Sequence, residues 1–296
     1  MDMTPKIREL LGLRGIGAAR RRGARKLDFI GIGAQKTGTT TLHQLLALHP
    51  QIEMYRRKEL HWFEKDDRFG PDHRPLSGDY DDLHRHFYFD RQITGEITPV
   101  YIYWRHAVER IQAYNPDIRI FVLLRSPVRR AYSQWGHYVR KSRRPKFRNL
   151  HIGPFQKRLR REMKAMGRNP DYQNVRRSHI GRSLYAEQIR RVKALFPPEQ
   201  LLFVKSEEFF ADQLGVTDQV CRFLGVAPLS EFARPAPIHD NVGVVPPIGL
   251  EDWNAAYQYL SADIDAVERE LGWDCSDWRQ PPASAVGENP EKARRI

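Results

Sequence analysis

"GAQKTGTTTLHQLL" spans residues 33 to 46 and continues directly from the apolar run "LDFIGIG" at 27 to 33. The dense apolar run predicts a buried parallel strand. Leu42, Leu45, Leu46 and, farther around, His49 recur at helical spacing ahead of Pro50, so a helix should follow. A glycine- and threonine-rich loop joins the two. Nucleotide triphosphatases use G-x-x-x-x-G-K-S/T here, the lysine after the second glycine reaching the terminal phosphates. Gly33 and Gly38 keep that separation, but Thr39 stands in the lysine position and the loop's lysine, Lys36, lies between the glycines. The charge on which a γ-phosphate site depends is therefore missing. The backbone geometry for one anion survives: Gly38 permits close approach, amides at the helix N-terminus donate, and Thr39 and Thr40 add hydroxyls.

A second unit of the same kind is "IRIFVLLRSPVRRAYSQWGHYVR", 118 to 140. Ile118 to Leu124 reads as a strand, and Ser126 as an N-cap before Pro127 at the first position of a helix reaching about Arg140. Ser126, Arg130 and Ser133 are spaced i, i+4 and i+7 and should share one helix face. Ser133 is then expected to face the crevice that Arg125 enters from the carboxyl end of the strand, where open α/β sheets bind ligands.

Around these units, "ITGEITPVYIYW" reads as a short strand or turn before the helix "HAVERIQAY". "RSLYAEQIRRVKALF" and "VTDQVCRFLGV", ending at Gly225, read as helices, and "EQLLFVKSEEF" contains a strand. After the Pro- and Gly-dense "FARPAPIHDNVGVVPPIG" comes a helix near "WNAAYQYLSADIDAVERELG". Strands alternating with helices predict an α/β chain, a three-layer P-loop-type fold with a mainly parallel central sheet flanked by helices. The expected organisation is a basic, loosely ordered arm (1–26), one domain (27–278) and a C-terminal tail (279–296).

The two motifs together resemble the cofactor-binding elements of sulfotransferases that use 3′-phosphoadenosine 5′-phosphosulfate (PAPS). "GAQKTGTTTL" is similar to their 5′-phosphosulfate loop and "FVLLRSPVRRAYSQW" to their 3′-phosphate strand and helix, in the family's order and over about residues 27 to 275. The resemblance is nearest to the heparan-sulfate and bacterial carbohydrate branch. It implies that Gln35, Lys36, Thr37, Gly38, Thr39 and Thr40 hold the 5′-phosphosulfate, with Arg125 and Ser133 on the 3′-phosphate and Tyr185, in "GRSLYAEQ", beside the adenine or in the packing. PAPS would be the donor and PAP the product, with no metal required. The acceptor would be a hydroxylated glycan or glycoconjugate, with a small hydroxylated metabolite as the alternative.

"RKELHWFEK" at 57 to 65 is the candidate for acid-base chemistry. Run extended, it would place Glu59, His61 and Phe63 on one side and Leu60 and Trp62 on the other. The resemblance maps the base that deprotonates the acceptor hydroxyl onto Glu59, with His61 and Glu64 beside it and Lys36 balancing charge on the departing phosphate. Enclosure by Trp62 or Phe63 should raise the Glu59 pKa. Two departures from the branch stand out. "EITP" puts Ile97 where an acceptor-contacting lysine usually lies, and "HDNVGVVPP" matches the late cofactor loop only loosely, at Asn241 and Gly243.

The net charge of +13 is concentrated in two segments, since residues 1 to 26 hold eight Lys/Arg against two acids and residues 140 to 168 hold twelve against one. A cationic rim beside a cleft attracts anionic ligands. Two other readings compete. A P-loop small-molecule kinase requires magnesium-dependent ATP consumption, against which Thr39 argues. A basic nucleic-acid-binding module would rest on the 140 to 168 tract, where only Phe147 and Phe155 offer stacking rings. Cys221 and Cys275 form no CxxC and read as reduced thiols, with one disulfide the alternative. No stretch approaches the ~18 apolar residues of a membrane span, and "LLGL" is too short for a signal-peptide core, so the cytoplasm is the expected compartment.

Overall fold

β1 (Phe29–Gly33) is fully buried and occupies the middle of a five-stranded sheet ordered β2-β3-β1-β4-β5, every pairing parallel. This is the computed structural model of the chain, and it describes residues 25–147, 152–169, 172–174, 178–238 and 246–282. Most of the arm and of the C-terminal tail lies outside those residues.

In chain order the elements are β1, α1 (Thr39–Ala47), β2 (Ile52–Met54), α2 (Asp81–His84), β3 (Ile93–Ile97), α3 (Ala107–Tyr114) and β4 (Arg119–Leu124). They continue with α4 (Pro127–Ser142), α5 (Phe155–Arg168), α6 (Tyr185–Leu195), β5 (Leu201–Lys205), α7 (Ser206–Ala211), α8 (Gln213–Leu224) and α9 (Leu250–Leu271). The parallel sheet buried between helices on both faces is the three-layer α/β architecture that the alternation predicts.

Strand alternation builds the two core layers. Ile30, Ile32, Ile120, Val122 and Leu124 pack with residues of α3, α6 and α9, whereas Phe29, Phe121 and Leu123 pack with α1 and α8. Cys275 belongs to the first layer and Cys221 to the second, and both are free thiols. A third cluster, including Tyr132, Phe155, Leu159 and Trp253, joins α4, α5 and α9. The basic tract is thus built into the fold through α5, whose Glu162 accepts from the amides of His179, Ile180 and Gly181 at 2.5, 3.0 and 2.8 Å.

Three local expectations are corrected. Residues 57–65 do not run extended: Glu59 and His61 have φ of 68° and 56°, and Phe63 turns into the core. Arg130, three residues before Ser133 on α4, does not reach the cavity that Ser133 lines. It is fully buried and donates to Ser183 Oγ, Gln134 Oε1 and the His179 carbonyl, a network that outweighs exposure of its charge. Ser126 takes the N-cap position before Pro127, but its hydroxyl makes no cap bond. Among the described residues, no helix is long and apolar enough to cross a membrane.

Candidate active site

The loop between β1 and α1 is fixed from three sides. The Ala34 amide donates to the Leu123 carbonyl at 2.7 Å, Thr37 Oγ1 to the Ala34 carbonyl at 2.6 Å, and Ser206 Oγ to the Thr37 carbonyl at 2.8 Å. The Thr37 hydroxyl is thereby used within the fold, and its side chain does not line the cavity. Gly38 precedes α1 at φ 95°, and a Cβ there would stand 2.9 Å from the Phe209 ring. Both the left-handed backbone and the close ring require glycine.

Gln35, Lys36, Gly38, Thr39 and Thr40 line a cavity of about 310 Å³ at the carboxyl edge of the sheet. Arg125 and Ser133 enter it from β4 and α4, and Glu59 from the loop after β2. Residues separated by about a hundred positions in sequence therefore share one wall system, as the two motifs require. Thr37 and His61 do not line the cavity, and neither does Tyr185. Fully buried, Tyr185 donates from its hydroxyl to the Arg125 carbonyl at 3.1 Å. Asn241 and Gly243 lie outside the described residues. Ile97 is buried with Phe29 and Phe121, so its position packs the core and offers no acceptor contact.

His61 lies between two carboxylates, Nε2 at 3.2 Å from Glu59 Oε2 and Nδ1 at 2.5 Å from Glu64 Oε1. Those bonds, first to Glu59 and then to Glu64, outweigh burial and lift its pKa to about 9, so both ring nitrogens donate. Glu59 also pairs with Lys58. Burial pushes the Glu59 carboxyl up, but His61 and Lys58 more than offset it and hold it near 2. The expected rise is thus reversed: neighbouring cations outweigh enclosure.

Lys58, His137, Arg140 and Phe210 also line the cavity. His137 and Arg140 follow Ser133 at i+4 and i+7, so the periodicity that selects Ser133 selects them too. Burial, then Lys36 and the nearby arginines and lysines, push His137 down to about 4, leaving a neutral imidazole on a cationic wall. Phe210 carries no sequence signal. Its half-exposed ring lies 5.5 Å from the Arg125 guanidinium. Behind Glu59, fully buried Glu96 is pushed up to about 7 by desolvation, against hydrogen bonds that lower it.

The sulfotransferase domain family matches residues 26–235. Human heparan sulfate glucosamine 3-O-sulfotransferase 6 is 30% identical over 215 residues, covering 71% of this chain and 54% of its own length. Human heparan sulfate glucosamine 3-O-sulfotransferase 5 is 26% identical over 202 residues, covering 67% and 53%. The chain thus spans about half the length of the curated relatives it matches. A sulfotransferase crystal structure from Alicyclobacillus acidocaldarius superposes with a TM-score of 0.67 at 27% identity, covering 86% of this chain and all of that one. The family match takes in β1 through α8, the elements that carry the loop, Glu59, Arg125 and Ser133, and this chain belongs to the sulfotransferase family.

Proposed function

We propose that residues 27–278 form a transferase domain that moves the sulfuryl group of PAPS to a hydroxyl of a carbohydrate or glycoconjugate. The observation that carries this reading is one cavity joining the Lys36 loop, the Arg125 and Ser133 pair, and the Glu59 carboxylate. Two separated anion subsites suit a donor with phosphates at both ends of a nucleoside, and the carboxylate supplies a base beside them.

The residues fit such a donor. Among the described residues, Lys36, Lys58, Arg125 and Arg140 face the cavity against one carboxylate, Glu59, a balance suited to several negative charges. The left-handed Gly38 starts α1 beside Lys36, Thr39 and Thr40, so this wall of the cavity is a helix N-terminus with a cation and two hydroxyls next to it. Lys36, Gly38, Thr39 and Thr40 would hold the phosphosulfate end, and Arg125 and Ser133 the 3′-phosphate. When bound, the donor supplies the sulfuryl group and a phosphate leaving group.

The chain's own residues position and deprotonate the acceptor. Glu59 accepts the hydroxyl proton, a contribution of typically about 10²- to 10⁴-fold. Its pKa near 2 makes it ionised but weakly basic while Lys58 and His61 both hold it. Lys58 also faces the cavity, so an anionic donor competes with Glu59 for its ammonium. Drawing Lys58 away removes one cation from Glu59 and raises its basicity toward the working range. The glycan class rests on the relatives named for heparan sulfate glucosamine. Because Ile97 is buried, acceptor contacts must come from other residues.

Isothermal titration with PAP, followed by mass spectrometry of sugars, glycolipids and phenols incubated with PAPS, tests the reading. Binding that Lys36→Ala weakens, with a sulfuryl mass gain on a sugar hydroxyl, is expected. Absence of PAP binding sinks it, and gain on phenols alone moves the acceptor to small metabolites.

A further inference from the structure

The loop that carries Glu59 and His61 has a backbone needing support. Both residues are non-glycine and left-handed, at φ 68° and 56°, conformations that persist only where their surroundings enforce them. Among the described residues, the four amides from Leu60 to Phe63 donate to no backbone carbonyl. All four point instead at three side chains from β3 and the turn after it. The Leu60 amide lies 3.5 Å from Glu96 Oε2, and the His61 amide 3.4 Å from Thr98 Oγ1. The Trp62 and Phe63 amides donate to the Tyr101 hydroxyl at 2.9 and 3.5 Å. Thr98 Oγ1 in turn donates to Glu96 Oε2 at 2.7 Å, which links the acceptors into one unit.

The unit is rigidly based. Glu96, Thr98 and Tyr101 are each 0% exposed. Glu96 sits in register with Ile30 of β1, the Thr98 amide donates to the Gly31 carbonyl at 3.0 Å, and the Tyr101 amide to the Thr98 carbonyl at 3.2 Å. None of the three lines the cavity.

We propose that Glu96, Thr98 and Tyr101 are positioning residues: a rack of buried acceptors that fixes the backbone of residues 60–63 and so sets where Glu59 and His61 stand. The catalytic consequence rests on the sulfuryl-transfer reading, whereas the holding of the loop does not. A rack of this kind explains why a carboxylate occupies β3, an interior strand, with no cation bonded to it among the described residues. Its task is to accept from a neighbouring loop, and Thr98 shares that task one side-chain step along the same face.

Hydrogen exchange of amides 60–63, NMR titration of His61 and steady-state kinetics on Thr98→Val, Tyr101→Phe and Thr98→Ser test the proposal. Thr98→Val and Tyr101→Phe should speed exchange of these amides by about tenfold or more, the loss of one net hydrogen bond or slightly more. The His61 pKa should fall from about 9 toward its ordinary value as its contacts with Glu59 and Glu64 loosen. kcat should drop by about tenfold or more with PAP affinity within about twofold, and Thr98→Ser should restore all three readouts. Unchanged exchange in both loss variants overturns the proposal, as does a kcat loss that merely tracks PAP affinity or melting temperature. If the wild type transfers no sulfuryl group while exchange and titration respond as stated, the transfer reading falls and the rack stands.

Discussion

Arg125 Nη1 donates to the Lys36 carbonyl oxygen at 3.3 Å, so the residue proposed for one phosphate also latches the loop proposed for the other. Removing its side chain takes away a cation and loosens the loop. Arg125→Ala should weaken PAP binding by about 10- to 150-fold, the size of a hydrogen bond to a charged group, and Ser133→Ala by at most about tenfold. Isothermal titration measures both. Equal small losses would place the 3′-phosphate elsewhere.

Gly38→Ala meets two obstacles at once, φ 95° and a Phe209 ring atom 2.9 Å from the new Cβ. The left-handed strain alone costs roughly 1–2 kcal/mol. The clash must push the loop or α7. We expect a lower melting temperature and, because the cradle itself shifts, loss of the thermal stabilisation that saturating PAP gives the wild type. A variant still stabilised by PAP as the wild type is would show that the loop does not form the cradle.

The parts legible in the sequence are those governed by local chemistry. The Gly33 to Thr41 loop announces its backbone needs through its glycines and hydroxyls, and Ser133 follows from helical periodicity. The same periodicity misplaces Arg130, because its partners Ser183 and His179 lie about fifty residues away and no local pattern encodes them. β2 escapes notice since three residues carry no alternation. β3 is ambiguous for a different reason. Gly95 and Glu96 read as turn residues, yet a Cβ at Gly95 would lie 2.5 Å from the Phe29 carbonyl oxygen, and Glu96 serves the loop opposite. The left-handed turns at Glu59 and His61 are likewise imposed from outside, so an extended reading of "RKELHWFEK" had no local signal against it.

His61 and Glu59 should leave opposite marks on stability against pH. The His61 pKa is raised from 6.5 to about 9, so its contribution is complete below about 6.5 and is lost as pH rises through 9. The Glu59 pKa is lowered from 4.5 to about 2, so its contribution is present above about 4.5 and is lost as pH falls through 2. His61→Gln should therefore melt below the wild type at pH 6, with the gap closing by about pH 10. The imidazole is half exposed, so solvent screening keeps the gap modest. A gap that stays constant from pH 6 to 10 would mean that His61 is not held charged by its two carboxylates.

Glu162 anchors the basic helix α5 by accepting from three consecutive amides while itself buried. Glu162→Ala orphans these donors, at about 1–3 kcal/mol for each one left buried, so a total loss of about 3 kcal/mol or more is expected. For a domain of this size that corresponds to a melting temperature lower by about 6–12 °C. Glu162→Gln keeps an acceptor oxygen and should recover part of the loss. Calorimetry of the two variants decides, and equal losses would assign the effect to charge rather than to the amide bonds.

The outer face of α5 is a separate matter from its anchor. Lys157, Arg160, Arg161, Lys164 and Arg168 are exposed and recur every three or four residues, so they form one cationic stripe opposite buried Phe155, Leu159 and Glu162. Solvated charges of this kind contribute little to folding, and reversing Lys157, Arg160 and Lys164 to Glu should leave the melting temperature nearly unchanged. PAP affinity should also hold, because none of the three lines the cavity. If the stripe attracts an anionic glycan acceptor, the triple variant should raise the acceptor KM while kcat stays near the wild type. The wild-type KM should rise steeply between low and physiological salt, and the variant KM should not. A KM that ignores both the reversal and the salt would leave the stripe a solvated surface and locate acceptor recognition within the cavity walls.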